Sequence, residues 1–498
     1  MPFEDVNSAL EPLMFQMKQY KNLTKSTIEI LPSSGQTNYG PHQKCIFTLP
    51  YASLLSLEDL ALHFDFTPAN VPTVGTAGAT AHDVFDAERV MAPKDVASLI
   101  AEIDIKINGQ TIQHLTNYND IVNLMNMFEE AKSAKKVLQN CDPSKYSYLD
   151  GAEYKPIDTT DYIAIAGGNA ASATNVMKKT RRFAVNHWYG LLGTRGKEVS
   201  SNFIDTNMVG EVTIAFTFAS PSVLISTRPT ATNLDTIKPV TGTMTGVTDA
   251  EIKTAADASR ASYVLSDLKM SMVRYNLPME YSEALRSNLS SGAKYQIAFN
   301  HYEIHSQAAG SGSGSLRFNE NSKDIKGLIG YFTNAKRDQV PQPSSYDELI
   351  NTSSYFKYDN PAHNASQFQI GSVMMPQNEL KSEEAFLELT RAVAGARGNN
   401  AEFDSKIDSV GKWLSSYFMA YLSLEMTEGM TLVANDNKKL LSGLSSENLP
   451  ISCVYKYSNN PTIASAYGWA ADSKNVNVLA LTTRMLVIQD SQNVYVEI

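Results

Sequence analysis

The stretch from Ile100 to Leu115 limits what this chain can fold into more tightly than any other. Ala101, Ile103, Ile105 and Ile107 alternate with Glu102, Asp104 and Lys106, and the run stops at Asn108-Gly109. Alternation of period two gives an extended strand one apolar and one polar face. Asn-Gly supplies the two positive-φ residues of a two-residue hairpin turn. The register that follows places Ile105 opposite Ile112 on the buried face and Asp104 opposite Gln113 on the wet one. A strand with one apolar face needs a second layer to cover it.

The same grammar recurs along the chain. Leu60, Leu62, Phe64 and Phe66 share a face, as do Val212, Ile214, Phe216 and Phe218, with Thr213 and Thr217 opposite. Leu268, Met270 and Met272 alternate with Asp267, Lys269 and Ser271, and further strands are read at Lys44 to Leu49, Arg182 to Leu192, Lys294 to His305, Ile325 to Phe332, Tyr417 to Met426, Ile451 to Tyr457, Val476 to Ile488 and Val494 to Ile498. Asn119 to Leu138 switches to helical period, with Ile121, Leu124, Met125 and Phe128 as its stripe. A short helix is expected over Glu280 to Leu289, and Ala308 to Ser315, AAGSGSGS, reads as a flexible loop tip. Many strands with a few inserted helices make an all-β chain of two tandem sandwiches rather than a parallel α/β sheet. The expected organisation is an N-terminal arm over 1–35, a first sandwich over 36–230, a connection over 231–260 and a second sandwich over 261–498.

Phe368 to Gly395 states the strand-and-helix unit in one span. The strand from Phe368 is expected to close at Met375-Pro376, because proline cannot donate to a ladder. Ser382 is then expected to cap a helix whose first turn carries Glu383 and Glu384 and whose exit is Gly395. Phe386, Leu389, Thr390 and Val393 form the stripe that lies on the sheet.

Composition narrows the function. A formal net charge of -10 argues against a chain built to grip phosphates, so sequence-specific nucleic-acid binding is not expected. The basic cluster Lys178, Lys179, Arg181 and Arg182 reads as a solvated strand entrance, because no aromatics interleave with it. Charged residues are only 19% of the chain, consistent with surface buried against partners, and equally with a tyrosine-rich β protein. Cys45, Cys141 and Cys453 are far apart and odd in number, which reads as reduced thiols. No basic-then-apolar leader stands at the N-terminus, and no apolar run is long enough for a membrane helix.

No catalytic, cofactor or metal set is read from the residues. Gly190 to Glu198, GLLGTRGKE, lacks both the first glycine and the Ser/Thr of a phosphate loop. Ala166-Gly167-Gly168-Asn169 lacks the third glycine of a dinucleotide fingerprint and reads as a turn. His301, Glu303 and His305 share one strand face and have ligand chemistry. The apolar phase flips near Asn300, however, which suggests a bulge and a polar outer face rather than a metal site. The sequons at Asn22, Asn288, Asn351 and Asn364 carry no weight in a chain rich in Asn, Ser and Thr.

Five stretches in order resemble the double jelly-roll major capsid proteins of double-stranded DNA viruses, in the virophage and polinton-like branch of the adenovirus-type lineage. They are IEILPSSGQTNYGPHQKCIFTLP, then NFIDTNMVGEVTIAFTFASPSVLI, YVLSDLKMSMVRYNLPMEYSEAL and FQIGSVMMPQNELKSEEAFLEL, and finally LSGLSSENLPISCVYKY with VNVLALTTRMLVIQDSQNVYVEI. The resemblance implies a non-enzymatic homotrimer, a pseudo-hexameric block of six sandwiches that tiles an icosahedral virion shell assembled inside the host cell. It implies neighbouring trimers, penton and minor capsid proteins as partners, leaves an underlying membrane open, and makes the arm a contact with neighbouring trimers or the shell interior. A carbohydrate- or receptor-binding β-sandwich is the alternative, and a β-sandwich hydrolase with two carboxylates a third.

Overall fold

A computed structural model describes residues 24–51, 53–70, 73–74, 85–86, 89–128, 139, 181–193, 203–227, 250–251, 254, 261–276, 283, 287, 291–292, 294–309, 313–335, 337, 354–358, 360, 363–397, 407, 410–424, 443–446, 449–457, 474–489 and 494–497. The arm before residue 24, the Gly167 turn, Lys178 and Lys179, Cys141 and nearly all of the expected connection and of the Glu280 to Leu289 helix lie outside these residues, as do Asn22, Asn288 and Asn351.

Among the described residues, alternating apolar residues produce four larger antiparallel sheets in two facing pairs, beside two two-stranded ones. In the first pair, β1 (Thr24–Ile30), β3 (Leu54–Ala69), β6 (Arg181–Val185), β7 (Phe203–Asp205) and β9 (Ser262–Asn276) share one sheet, ordered β1-β9-β3-β6 with β7 also on β3. The facing sheet runs β2-β8-β4-β5, from β2 (Lys44–Thr48), β4 (Ile100–Ile107), β5 (Gln110–Leu115) and β8 (Val212–Phe218). Trp188 joins the layers: its indole N–H donates to Leu60 O at 2.9 Å, and its ring stacks on Phe216 at 5.3 Å. Leu60, Leu62, Phe64, Phe66, Ile214, Phe216 and Phe218 are all buried, as the alternation requires.

The second pair has the same plan. One sheet runs β10 (Tyr295–Ala308), β17 (Lys474–Ile488), β12 (Ile325–Asn334), β15 (Met419–Ser423), with β18 (Val494–Glu497) on β17. The other runs β11 (Ser313–Asn319), β16 (Pro450–Tyr457), β13 (His363–Ile370), β14 (Val373–Leu380). Phe332 meets Tyr455 edge-on at 5.3 Å across the layers. Cys453 Sγ and Phe368 approach Gly330 so closely that a Cβ built there would lie 3.5 Å from each.

Several expectations are corrected. Ser262–Asn276, placed by its position in the chain at the head of the second sandwich, pairs instead with β1 and β3 in the first. Its alternating face covers the first core, and the second series of strands starts at Tyr295. The hairpin turn forms as expected, with Asn108 at φ 50 and Gly109 at φ 80, but a bulge at Ile112 shifts the register. Ile105 therefore faces Gln113, and Asp104 faces His114. The bulge lets Ile112 enter the core while Gln113, 2% exposed, turns toward the second sandwich. Asp104 is enclosed by Lys44 and His114 rather than wet; burial raises its pKa, but these partners lower it by more, so that it lies below the ordinary carboxylate value.

The strand from Phe368 does not end at Pro376. It turns at Gly371, φ 61, and returns as β14, which carries Pro376 because it is the sheet's edge and that residue's missing N–H has no ladder partner to lose. The helix that follows, Ser382–Arg397, runs past Gly395, and Glu384 reaches back to the Lys381 N–H at 3.0 Å. Within the glycine-serine tract, Ser313 to Ser315 belong to β11, and the Tyr455 ring fills the space where a Gly314 side chain would stand. The Arg182 to Leu192 strand stops at Val185 and is followed by a 3-10 turn over Gly190–Leu192.

Candidate functional site

The helix α1 (Tyr118–Met127) joins the two sandwiches. Its apolar stripe, Ile121 and Leu124, is buried as the period predicts. The unexpected feature is that its polar face is buried too: Asn119, Asp120 and Asn123 turn onto the second sandwich. Asp120, 1% exposed, takes a bidentate pair of bonds from Arg337, Nη1 to Oδ1 at 3.1 Å and Nη2 to Oδ2 at 2.5 Å. The guanidinium lies 4.4 Å over the Tyr355 ring. Burial works against its charge, but the Asp120 carboxylate and the surrounding tyrosines raise its pKa well above the ordinary value. Asn119 and Asn123 donate to the Tyr355 and Tyr358 hydroxyls at 3.1 and 2.6 Å.

A second contact forms where β5 and the 3-10 turn meet β10. Gln113 Oε1 accepts from Leu191 N at 2.8 Å, and its Nε2 lies 3.3 Å from His301 Nδ1. Gly190, at φ +85, leaves room for Gln113, whose amide a Cβ there would overlap. Tyr189 meets Tyr302 edge-on at 5.7 Å. That contact explains the phase change in β10. The strand pairs with β17 without a register shift from Tyr295 to Ala308, so there is no bulge at Asn300; Tyr302 is apolar because its face lies on the first sandwich.

His301, Glu303 and His305 share a face, but the structure divides them. His301 Nε2 lies 3.7 Å from Glu303, whereas His305 Nε2 lies 3.4 Å from Glu320, a buried residue the sequence reading missed. Glu303, His305 and Glu320 bring ligand-type atoms within 4.8 Å of one another. Arg484 stands between the two carboxylates, 3.6 Å from Glu303 and 3.3 Å from Glu320, and supplies positive charge there. This is an ion-pair network tying β10, β17 and the end of β11.

The network gives Glu303 a pH signature. The neighbouring His301, with help from His305 and Arg484, lowers its pKa to about 2 against opposing burial. A carboxylate depressed below its unfolded value of about 4.3 adds stability above that value and loses it as pH falls toward 2. Acid titration of the Glu303→Gln variant should therefore show a shallower stability loss between about pH 4 and 2 than the parent. An identical slope would contradict the assignment.

The basic cluster resolves in part: Arg182 bonds Asp65 at 3.1 Å and Asp267 at 2.5 Å, a solvated strand-edge arrangement. Cys45 and Cys453 are buried thiols, their pKa values pushed up by burial to about 11 and about 12. Among the described residues no helix is long and apolar enough to cross a membrane.

Two sandwiches locked through a helix can be set beside solved structures. The structure of the Sputnik virophage contains a chain similar at TM-score 0.53 and 13% identity, covering 97% of this chain and 90% of that one. PBCV-1 VP54, fitted into a reconstruction of Sputnik, matches at TM-score 0.51 and 11% identity over 96% and 97%. The chain has the double jelly-roll fold. The Faustovirus major capsid protein is similar at TM-score 0.50 and 9% identity, over 95% of this chain and 92% of that one. No family model and no curated protein matches the sequence. A double jelly-roll can persist at such low identity because its strands require a pattern of apolar faces rather than particular residues.

Proposed function

We propose that this protein is a major capsid protein that acts without catalysis, as a homotrimeric, pseudo-hexameric capsomer of an icosahedral virion. The observation that carries the reading is the match of both sandwiches together, over nearly the whole chain, to chains of viral capsids. Shell building depends on association free energy, and trimer contacts of obligate type bury roughly 2,000–5,000 Å². A rigid two-sandwich unit suits that role, because each copy then presents fixed surfaces. The seam of Asp120, Arg337 and Gln113 supplies that rigidity. Neighbouring trimers, penton and minor capsid proteins are the partners, and the arm over 1–35, which includes β1 (Thr24–Ile30), contacts neighbouring trimers or the shell interior. The expected division at residue 261 becomes a division after β9, with Tyr295 opening the second sandwich.

Light scattering with negative-stain imaging tests the reading. Purified protein should have three times the 54.7 kDa chain mass and appear as three-fold blocks of hexagonal outline. A monomer that binds glycans would instead support a carbohydrate-binding sandwich.

A further inference from the structure

The strand β1 lies at the outer edge of its sheet, and among the described residues no strand pairs with its other side. An open edge presents a row of backbone donors and acceptors that folded proteins ordinarily cover or interrupt. Three other edges show such devices. β14 carries Pro376 and an irregular register, β2 has its Ile46 carbonyl taken by Ser33 N at 2.8 Å, and β5 abuts the second sandwich. β1 has no proline, pairs with β9 without a register shift over Thr24 to Ile30, and exposes most of its side chains.

Its sequence, TKSTIEI, is complementary in charge to itself. Antiparallel pairing about Thr27 sets Lys25 opposite Glu29 of a second copy, Glu29 opposite the second Lys25, and Thr27 opposite Thr27. These three residues share one strand face, and Glu29, which reaches Lys269 at 3.1 Å, keeps a side chain 60% exposed. Directly opposed side chains on antiparallel strands are near enough for ion pairing, whereas any parallel in-register arrangement would set like charges together. Ile28 and Ile30 point the other way and pack on the core, so pairing would not require them to move.

We infer that β1 is a docking edge for a second copy of this chain, joined across a two-fold axis by strand addition and closed by two Lys25–Glu29 pairs. Seven residues bury too little surface to hold a dimer alone, so the contact is weak and serves to link units already held together by larger ones. The inference stands apart from the capsid reading, because scattering reads the trimer while site-directed cross-linking reads this edge.

The test uses full-length chains carrying Thr27→Cys, with Lys106→Cys, at an exposed position of β4, as a control. Under mild oxidation the Thr27→Cys chain should form disulfide-linked dimers faster than the control. Adding Lys25→Glu or Glu29→Lys makes each copy repel itself, and each should cross-link about tenfold less, since two attractive pairs become repulsive. An equimolar mixture of those two variants restores both attractions in unlike pairs, which make up half of all encounters, and should recover about half the parent rate; a fast parent, slow variants and a fast mixture together fit antiparallel β1 pairing. Melting midpoints equal to the parent's are required of each variant beforehand. A Thr27→Cys rate no greater than the control's, or a mixture that stays as slow as its components, would overturn the inference.

Discussion

Replacing Asp120 with alanine should destabilise the protein by about 3–5 kcal/mol, because it leaves the Arg337 guanidinium buried between sandwiches without its counter-charge. The pair is bidentate and enclosed, so most of its effect appears when one partner is removed rather than both. An Asp120→Leu, Arg337→Met double variant should recover much of the loss, since an apolar pair of similar volume no longer carries an isolated charge. Urea unfolding followed by separate fluorescence and circular-dichroism probes would measure both. A loss under about 1 kcal/mol for the single variant would mean that Arg337 finds another partner or water, and that the seam is not held by this pair. The loss should appear first as a loosening of the seam, because α1 and Gln113 are among the contacts that join the two sandwiches.

Trp188→Ala should cost a similar about 3–5 kcal/mol, but by a different route. The indole is fully buried and stacked on Phe216, and its removal leaves a cavity between facing sheets as well as an unpaired Leu60 carbonyl. Trp188→Phe keeps a ring beside Phe216 and should lose clearly less. Thermal melts of the two variants, with proteolysis to locate the loosened half, would check this. Equal losses would show that the hydrogen bond to Leu60 matters more than the volume. Damage should begin in the first sandwich, whereas Trp413→Ala, beside Phe386 and Phe418, should loosen the second.

Local elements were legible because their causes are local. Leu60 to Phe66 and Val212 to Phe218 bury the residues their alternation marks, and Asn108-Gly109 turns the chain. Errors fell where a nonlocal partner changed the local rule. A two-residue turn places Gln113 on the wet face, yet a bulge turns it to the seam. The helical stripe marks Ile121 and Leu124 but says nothing of Asn119, Asp120 and Asn123, which Tyr355, Tyr358 and Arg337 meet. The histidine strand carried a correct signal of shared face, but its acidic and basic partners, Glu320 and Arg484, lie on other strands. Pro376 ends a central strand but not an edge one, and edge position is a property of the whole sheet.

Along Ile100 to Leu115 the sequence alone determined two strands and a tight turn, since alternation and turn chemistry act between near neighbours. It likewise determined an all-β chain of tandem sandwiches, because repeated half-apolar strands have few other ways to bury their faces. Only the tertiary structure decided that Ser262–Asn276 completes the first sandwich and that Asp120 meets Arg337 across 217 positions of chain. Alternation states which face of a strand is apolar and says nothing of which strand lies beside it. That choice is made by the packing of the whole, where each pairing is favourable only once the others are in place.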